Sequence, residues 1–266
     1  METDVKYNFI LNAMISAART ASKIMLEPEK HHIEQKGDHD FVTECDKKVQ
    51  AKIIELLSIN VPCAAEFICE EQVNDDIDGK LSGRCFVIDP IDGTHNFMNG
   101  IPFCAISIAY VEDYEVKASV VFNPFLDELY LATKGGGAYI DSHRGPSIDR
   151  RKLIPSDMPL EQGAIFFEDR WRADRRRIRK YALTARAFGS AALHMCFVAC
   201  GRGCGYISVP LYIWDYAGAL LIAREAGLKV TDMDGNDLKL AEKTRLLVAR
   251  EWELETMLEM KDYCES

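Results

Sequence analysis

The run Cys85-Phe86-Val87-Ile88-Asp89-Pro90-Ile91-Asp92-Gly93-Thr94-His95-Asn96-Phe97 changes character twice within thirteen residues. Its opening apolar residues read as a buried strand. Pro90 has no N–H to give a sheet ladder, so the strand is expected to stop at Asp89-Pro90. Asp92 follows three positions after Asp89, close enough for a turn to bring both carboxylates to one point. Gly93 permits the close backbone approach that a phosphate or a metal demands. Two acids on one turn repel unless a positive charge sits between them, and a divalent cation supplies it. An Asx-turn with two solvated carboxylates accounts for the same string.

Downstream, strands are expected over 104–111, 116–122 and 128–133, then a tight turn at Lys134-Gly135-Gly136-Gly137 and a short strand over 138–140. Upstream, residues 4–27 have helical periodicity and end before Pro28. Residues 31–40 are polar and read as a mobile loop, and Thr43 is placed to cap a helix running to about Ser58. The polar, Pro-containing stretch 141–160 divides the chain into halves 1–145 and 146–266. The second half alternates again: a strand over 164–167, a basic helix over 171–182, a helix over 190–200 and a strand over 205–208. A helix over 214–226 follows, closed by Gly227, then short strands near 229–231 and 246–249 and a terminal helix. The pattern implies layered helices and sheets of a mixed α/β class, without giving strand order.

With 266 residues and 48% hydrophobic content, the chain can bury a sizeable core. No apolar run approaches the roughly 18 residues of a membrane span. The N-terminus reads as an amphipathic helix and not a signal peptide, so a cytoplasmic location is expected. Nine cysteines, an odd count scattered through apolar segments, point to reduced thiols. The net charge of −10 argues against a nucleic-acid binder. The run from Arg170 to Lys180 is a local exception, read as a solvated helix face or as a patch for a partner or anionic ligand.

Further acids stand apart in sequence. Glu70-Glu71 adds a second acidic point after an apolar stretch, though Glu-Glu pairs are also frequent on surfaces. Asp215, after Trp214, opens a helix where it caps or complements the positive end, or ligates a metal. Asp46, near the start of the second helix, is either an ordinary first-turn acid or the group that orients a water nucleophile. Gly189-Ser190-Ala191-Ala192 begins a helix whose N–H groups suit an anion or hydroxyl. Oxygen-only ligands select Mg2+, Mn2+ or Ca2+, and two such ions about 3.5–4 Å apart can grip a phosphate and activate water.

Taken together, these strings resemble the inositol monophosphatase family of lithium-sensitive, magnesium-dependent phosphatases. The resemblance rests on Asp40…Val42-Thr43…Asp46, Glu70-Glu71, Asp89-Pro90-Ile91-Asp92-Gly93-Thr94…Asn96-Phe97, Gly189-Ser190-Ala191-Ala192 and Trp214-Asp215…Ala217-Gly218…Glu225-Ala226-Gly227. It implies an alternating αβαβα sandwich, a homodimer, and a loop over 37–41 closing on the metals. Glu70, Asp89 and the Ile91 carbonyl would hold one Mg2+, and Asp89, Asp92 and Asp215 a second. Glu70 would assist through a third ion, Mn2+ being an alternative metal and Li+ an inhibitor. Thr94 and Asp46 would polarise the attacking water. The amides of Gly93 and Thr94 would hold the phosphate, while Asp92, Gly189, Ser190, Ala191, Ser208 and Asp215 would face the substrate.

Three positions depart from the family pattern: Cys69 precedes the Glu pair, His95 follows Thr94, and Ser208 stands where inositol-specific members have Glu. His95 either reaches the phosphate or packs. Serine cannot grip two neighbouring hydroxyls as a carboxylate does. The resemblance therefore implies phosphomonoester hydrolysis and leaves the substrate open. Inositol monophosphate or a related polyol or sugar phosphate is expected. The alternatives are fructose 1,6-bisphosphate, histidinol phosphate, a nucleotide or adenosine 3′,5′-bisphosphate, or a regulatory role on the transcription or ribosome-assembly machinery.

Overall fold

Tyr7, Ile10, Leu11, Met14, Ala17, Ala18, Ala21 and Met25 recur at helical spacing and are all buried. They line one face of α1 (Glu2–Met25). In the computed structural model, which describes residues 2–27, 33–37, 40–62, 65–72, 74–143, 147–168 and 179–261, that face packs with α2 (Glu44–Asn60) on a large sheet. Between the two helices lie β1 (Ile33–Gly37) and β2 (Asp40–Thr43), which pair antiparallel with an irregularity near Gly37. The stretch expected as a loop is thus largely a hairpin. Pairing satisfies backbone groups that polar side chains alone do not reveal. The expected cap by the Thr43 side chain lies outside the described side chains.

After α2 (Glu44–Asn60) come β3 (Glu66–Cys69), α3 (Ile77–Ser82), β4 (Arg84–Asp92) and α4 (Thr94–Met98). A meander follows: β5 (Ala105–Glu112), β6 (Glu115–Asn123), β7 (Glu128–Thr133), β8 (Gly137–His143) and β9 (Ile148–Lys152). These seven strands form one sheet in the order β3-β4-β5-β6-β7-β8-β9, parallel only between β3 and β4. The stretch over 141–160, expected to be a connection, therefore contributes the end of β8 and the whole of β9 to this sheet.

The second sheet is built from β10 (Ala164–Phe167), β11 (Thr184–Arg186) and β12 (Gly205–Ile207), joined by later strands. Helix α5 (Ala191–Ala199) precedes β12. The short β13 (Leu211–Tyr212) leads into α6 (Ile213–Glu225), followed by β14 (Lys229–Thr231), β15 (Lys243–Thr244), β16 (Leu247–Ala249) and α7 (Leu254–Lys261). Strand order is β11-β10-β12-β16-β14, and β13 pairs separately with β15. Most of the expected basic helix over 171–182 lies outside the described residues, and at 179–181 the chain makes a turn.

Alternation of side chains along the strands separates three cores. Phe86, Ile88, Ile106 and Ile108 face α1 and α2. Cys85, Val87, Ala105 and Ala109 face the opposite way, onto α5, α6 and Phe166, Tyr206 and Val248 of the second sheet. Ile165, Ile207 and Leu247 then face Met257 and Met260 of α7. The layers run helix, sheet, helix, sheet, helix, the αβαβα order that the resemblance implies. Because helices cover both faces, β4 and β5 are buried almost throughout. Gly218 seats α6 on β5: a Cβ there would lie 2.2 Å from Ser107 Oγ and 3.1 Å from the Ile108 nitrogen. All seven cysteines among the described residues are free. Among the described residues no helix is long and apolar enough to cross a membrane.

Candidate active site

Residues three apart on a regular strand point to opposite faces. Asp89 and Asp92 escape that rule because the β4–β5 ladder carries one extra residue on the β4 side. Asp89 pairs with Ser107 and Asp92 with Ala105, so two residues of β4 oppose the single Ile106. Pro90, unable to donate to the ladder, lies in this bulge. The bulge restores the phase, and both carboxylates face α5 and α6 while Ile91 packs toward α1 and α2. The sequence suggested a turn after Asp89; a bulged strand running to Asp92 does the same work.

Asp92 is buried (7% exposed) and met by the start of α5. The Ser190 hydroxyl donates to Oδ2 at 2.5 Å, and the Ala191 and Ala192 amides donate at 3.2 and 2.8 Å. Ser190 also caps the helix, accepting from the Leu193 amide at 3.3 Å. Burial pushes the Asp92 carboxyl up to about 6, with Ser190 and the Ala192 amide pulling the other way. Burial also raises Asp89 well above the ordinary carboxylate range, reinforced by the charges of Glu70, Asp92 and Asp215. Asp215, in the first turn of α6, is raised by burial and then by Asp92 and Glu70, while the Tyr212 amide, donating at 2.7 Å, opposes the shift.

On the other side of β4, Thr94 and Asp46 meet. The Thr94 hydroxyl lies 3.3 Å from Asp46 Oδ1 and 3.1 Å from the Ile91 carbonyl, so its single proton is shared between them. Asp46 is wholly buried in the first turn of α2. Gly93 links the two clusters in the left-handed region (φ 94°). A Cβ there would come within 2.9 Å of the Gly189 carbonyl and 3.1 Å of the Phe103 carbonyl. Asn96 fixes that approach by donating to the Phe103 and Phe188 carbonyls at 2.7 and 2.5 Å.

Ser208 sits differently. It is wholly buried; its hydroxyl accepts from the Leu246 amide at 2.8 Å, and its own amide donates to the Leu246 carbonyl. His95 is exposed on α4 and does not join a core. Cys69 is buried without displacing Glu70, whose amide donates to the Ile88 carbonyl at 3.2 Å. Gln50 accepts from the Glu71 amide at 2.9 Å and so fixes the Glu pair to α2. Neither Gln50 nor His194, buried beneath the Gly189 turn, carried a sequence signal of its own.

Among the described residues, no group of three or more His, Cys, Asp or Glu side chains is arranged to hold a metal ion as the chain stands. The donor chemistry nevertheless fits a hard cation. Glu70, Asp89, Asp92 and Asp215 offer only oxygen, and the strongest influences on Asp89 after burial are other carboxylates. Asp92 is held by Ser190 and α5, and Asp215 by Tyr212.

Comparison with known proteins gives the geometry its context. The family model described as "Inositol monophosphatase family" matches residues 6–261. An inositol-1-monophosphatase of Mesorhizobium japonicum is 35% identical over 233 residues, covering 86% of this chain and 85% of that protein. The Nus factor SuhB of Haemophilus influenzae is 36% identical over 250 residues, covering 86% and 87%. The crystal structure of extragenic suppressor protein suhB from Bartonella henselae superposes with a TM-score of 0.83 at 30% identity, over 94% of this chain and 97% of that one. The chain belongs to the inositol monophosphatase family.

Proposed function

We propose that the chain is a magnesium-dependent phosphomonoesterase acting on a small phosphorylated metabolite, an inositol monophosphate or a related polyol or sugar phosphate. The observation that carries this reading is the bulge in β4. It turns Asp89 and Asp92 to one face, where their charges meet those of Glu70 and Asp215, and Gly93 links that cluster to the Thr94–Asp46 pair.

In this reading Glu70, Asp89 and the Ile91 carbonyl would hold one ion, and Asp89, Asp92 and Asp215 another, with a third assisting through Glu70. Bound Mg2+ supplies positive charge to the phosphate and acidity to a water. Thr94 orients the attacking water, and Asp46, hydrogen-bonded to Thr94, receives its proton. The left-handed backbone at Gly93 presents the Gly93 and Thr94 amides to phosphate oxygens. Gly189, Ser190 and Ala191 line the organic portion. Ser208 offers no carboxylate to paired ring hydroxyls, and its oxygen is engaged by Leu246. That favours a substrate range wider than inositol phosphates. The same reading carries a cytoplasmic homodimer.

The test is phosphate release from inositol 1-phosphate, fructose 1,6-bisphosphate, histidinol phosphate, AMP and adenosine 3′,5′-bisphosphate, with and without Mg2+ and with Li+ added. Magnesium-dependent, lithium-inhibited release from one favourite supports the reading; Mg2+ binding with no release from any of them removes it. A second reading follows from the relative named a Nus factor. The basic run from Arg170 to Lys180 would then contact transcription machinery. Replacing Arg175, Arg176 and Arg177 with Ala is expected to abolish partner capture and spare hydrolysis.

A further inference from the structure

Beneath the Gly189–Ser190 turn lies a side chain that the reading above does not use. His194 is wholly buried in α5. Its ring stacks on Phe166 (centroids 5.4 Å apart, planes 14°) and lies 5.2 Å from the Tyr206 ring. Both ring nitrogens are engaged. The Phe188 amide donates to Nε2 at 3.0 Å, and Nδ1 lies 3.1 Å from Glu168 Oε1. A backbone N–H can only donate, so Nε2 carries the lone pair. Nδ1 therefore bears the proton and donates it to Glu168. The same carboxylate oxygen accepts the Tyr206 hydroxyl at 2.6 Å, which orients Glu168 in turn.

Phe188 is thus gripped twice, its amide by His194 and its carbonyl by Asn96. Gly189 follows in the left-handed region (φ 76°), and Ser190 then donates to Asp92. With Phe188 held at both polar atoms, the chain has little freedom over the next two residues.

We propose that His194 is a positioning residue of the active site. Held by Glu168 as the neutral Nδ1–H tautomer, it fixes Phe188 and so sets the aim of the Ser190 hydroxyl and the α5 amides on Asp92. This rests on the phosphatase reading above. A packing role needs only the shape of an aromatic ring, which Phe supplies. The positioning role needs an acceptor where Nε2 stands, which Gln supplies and Phe does not.

The experiment compares the wild type with His194→Phe, His194→Gln, Ser190→Ala and Ser190→Ala/His194→Phe. Turnover of the favoured substrate, Mg2+ affinity by calorimetry and the nitrogen NMR signature of the His194 ring are measured. His194→Phe is expected to lower kcat about tenfold with KM changed less than about twofold, and His194→Gln to recover most of the loss. In the Ser190→Ala background the Phe substitution is expected to cost less than about twofold, because the route to Asp92 is already cut. Equal kcat for the Phe and Gln variants, or an undiminished loss in the Ser190→Ala background, overturns the proposal. So does an Nε2-protonated ring in the wild type, a readout that needs no variant to fold. If no substrate is turned over, the phosphatase reading fails separately. A roughly fivefold weaker Mg2+ affinity in His194→Phe then upholds the positioning role, and an unchanged affinity overturns it.

Discussion

Arg84 pairs with Glu112 at one end of the β4–β5 ladder, and Asp92 pairs with Ala105 at the other. Both ends carry buried carboxylates, and their surroundings are opposite. Glu112 receives the Lys6 ammonium, the Tyr7 hydroxyl at 2.9 Å and the Tyr110 hydroxyl at 2.6 Å, with Arg84 3.4 Å away. Burial pushes its carboxyl up, but these donors outweigh burial and leave it below the ordinary range. At the far end burial pushes Asp89 up, and its neighbouring charges push the same way. One end ties α1 to the sheet with its charge satisfied. The other gathers carboxylates that burial and one another's charges hold above the ordinary range, at a place where a cation would relieve the repulsion. Groups perturbed by repulsion and burial together mark a working site better than buried acids as such.

The sharpest way to break this contrast is Asp89→Asn. Turnover is expected to fall roughly 10²–10³-fold. Without metal, however, the melting temperature should rise by about 2–4 °C, because a buried, repelled carboxylate has gone. Calorimetry in chelator together with initial rates in Mg2+ checks both halves. A drop in metal-free stability would make Asp89 a structural acid like Glu112.

Acid titration separates the two ends by sign. The folded Asp92 carboxyl sits at about 6 against an ordinary 3.8. Its contribution to stability is therefore full below pH 3.8 and lost as the pH rises through about 6. Glu112 is lowered from an ordinary 4.5, so its contribution is present above pH 4.5 and lost as the pH falls through the lowered value. Metal-free protein is expected to gain stability on going from about pH 7 to about pH 5 and lose it below about pH 4. Asp92→Asn should flatten the first limb, and Glu112→Gln the second. Melting curves in chelator across that range provide the check.

How much of this was legible in the sequence varies with the kind of interaction. The Cys85–Ile88 strand and helices α1 and α6 announce themselves through apolar runs and helical spacing, because burial on a regular element leaves a period. The alternation of layers came through the family resemblance, not from periodicity. The β1–β2 hairpin and β9 leave no apolar period because their residues are largely polar; β9 is an exposed, charged edge strand, where pairing leaves little trace. At the site, the string displayed Asp89, Asp92 and Thr94, but not the bulge that turns both aspartates to one face, since pairing register is a property of two strands. His194 was invisible for a similar reason. Its meaning depends on Glu168, 26 residues away, and on the amide of Phe188.

The smallest effect tests whether a satisfied carboxylate elsewhere behaves like Glu112. Glu225, at the end of α6, accepts from the Gly135 amide at 2.7 Å and the Gly137 amide at 2.9 Å, tying the helix to the β7–β8 turn. Both glycines have positive φ, so the turn is built to aim its N–H groups at this one side chain. Gln keeps one carbonyl oxygen but replaces the other acceptor with a donor, facing a second donor. Glu225→Gln is expected to lower stability by about 1 kcal/mol, read as a melting-temperature drop of about 2–4 °C, with kcat unchanged. The turn lies on the sheet beneath α6, and the same helix carries Asp215 at its other end. A fall in kcat with Glu225→Gln would mean that α6 transmits strain along its length, so that the two ends of this helix do not separate support from chemistry as the two ends of the β4–β5 ladder do.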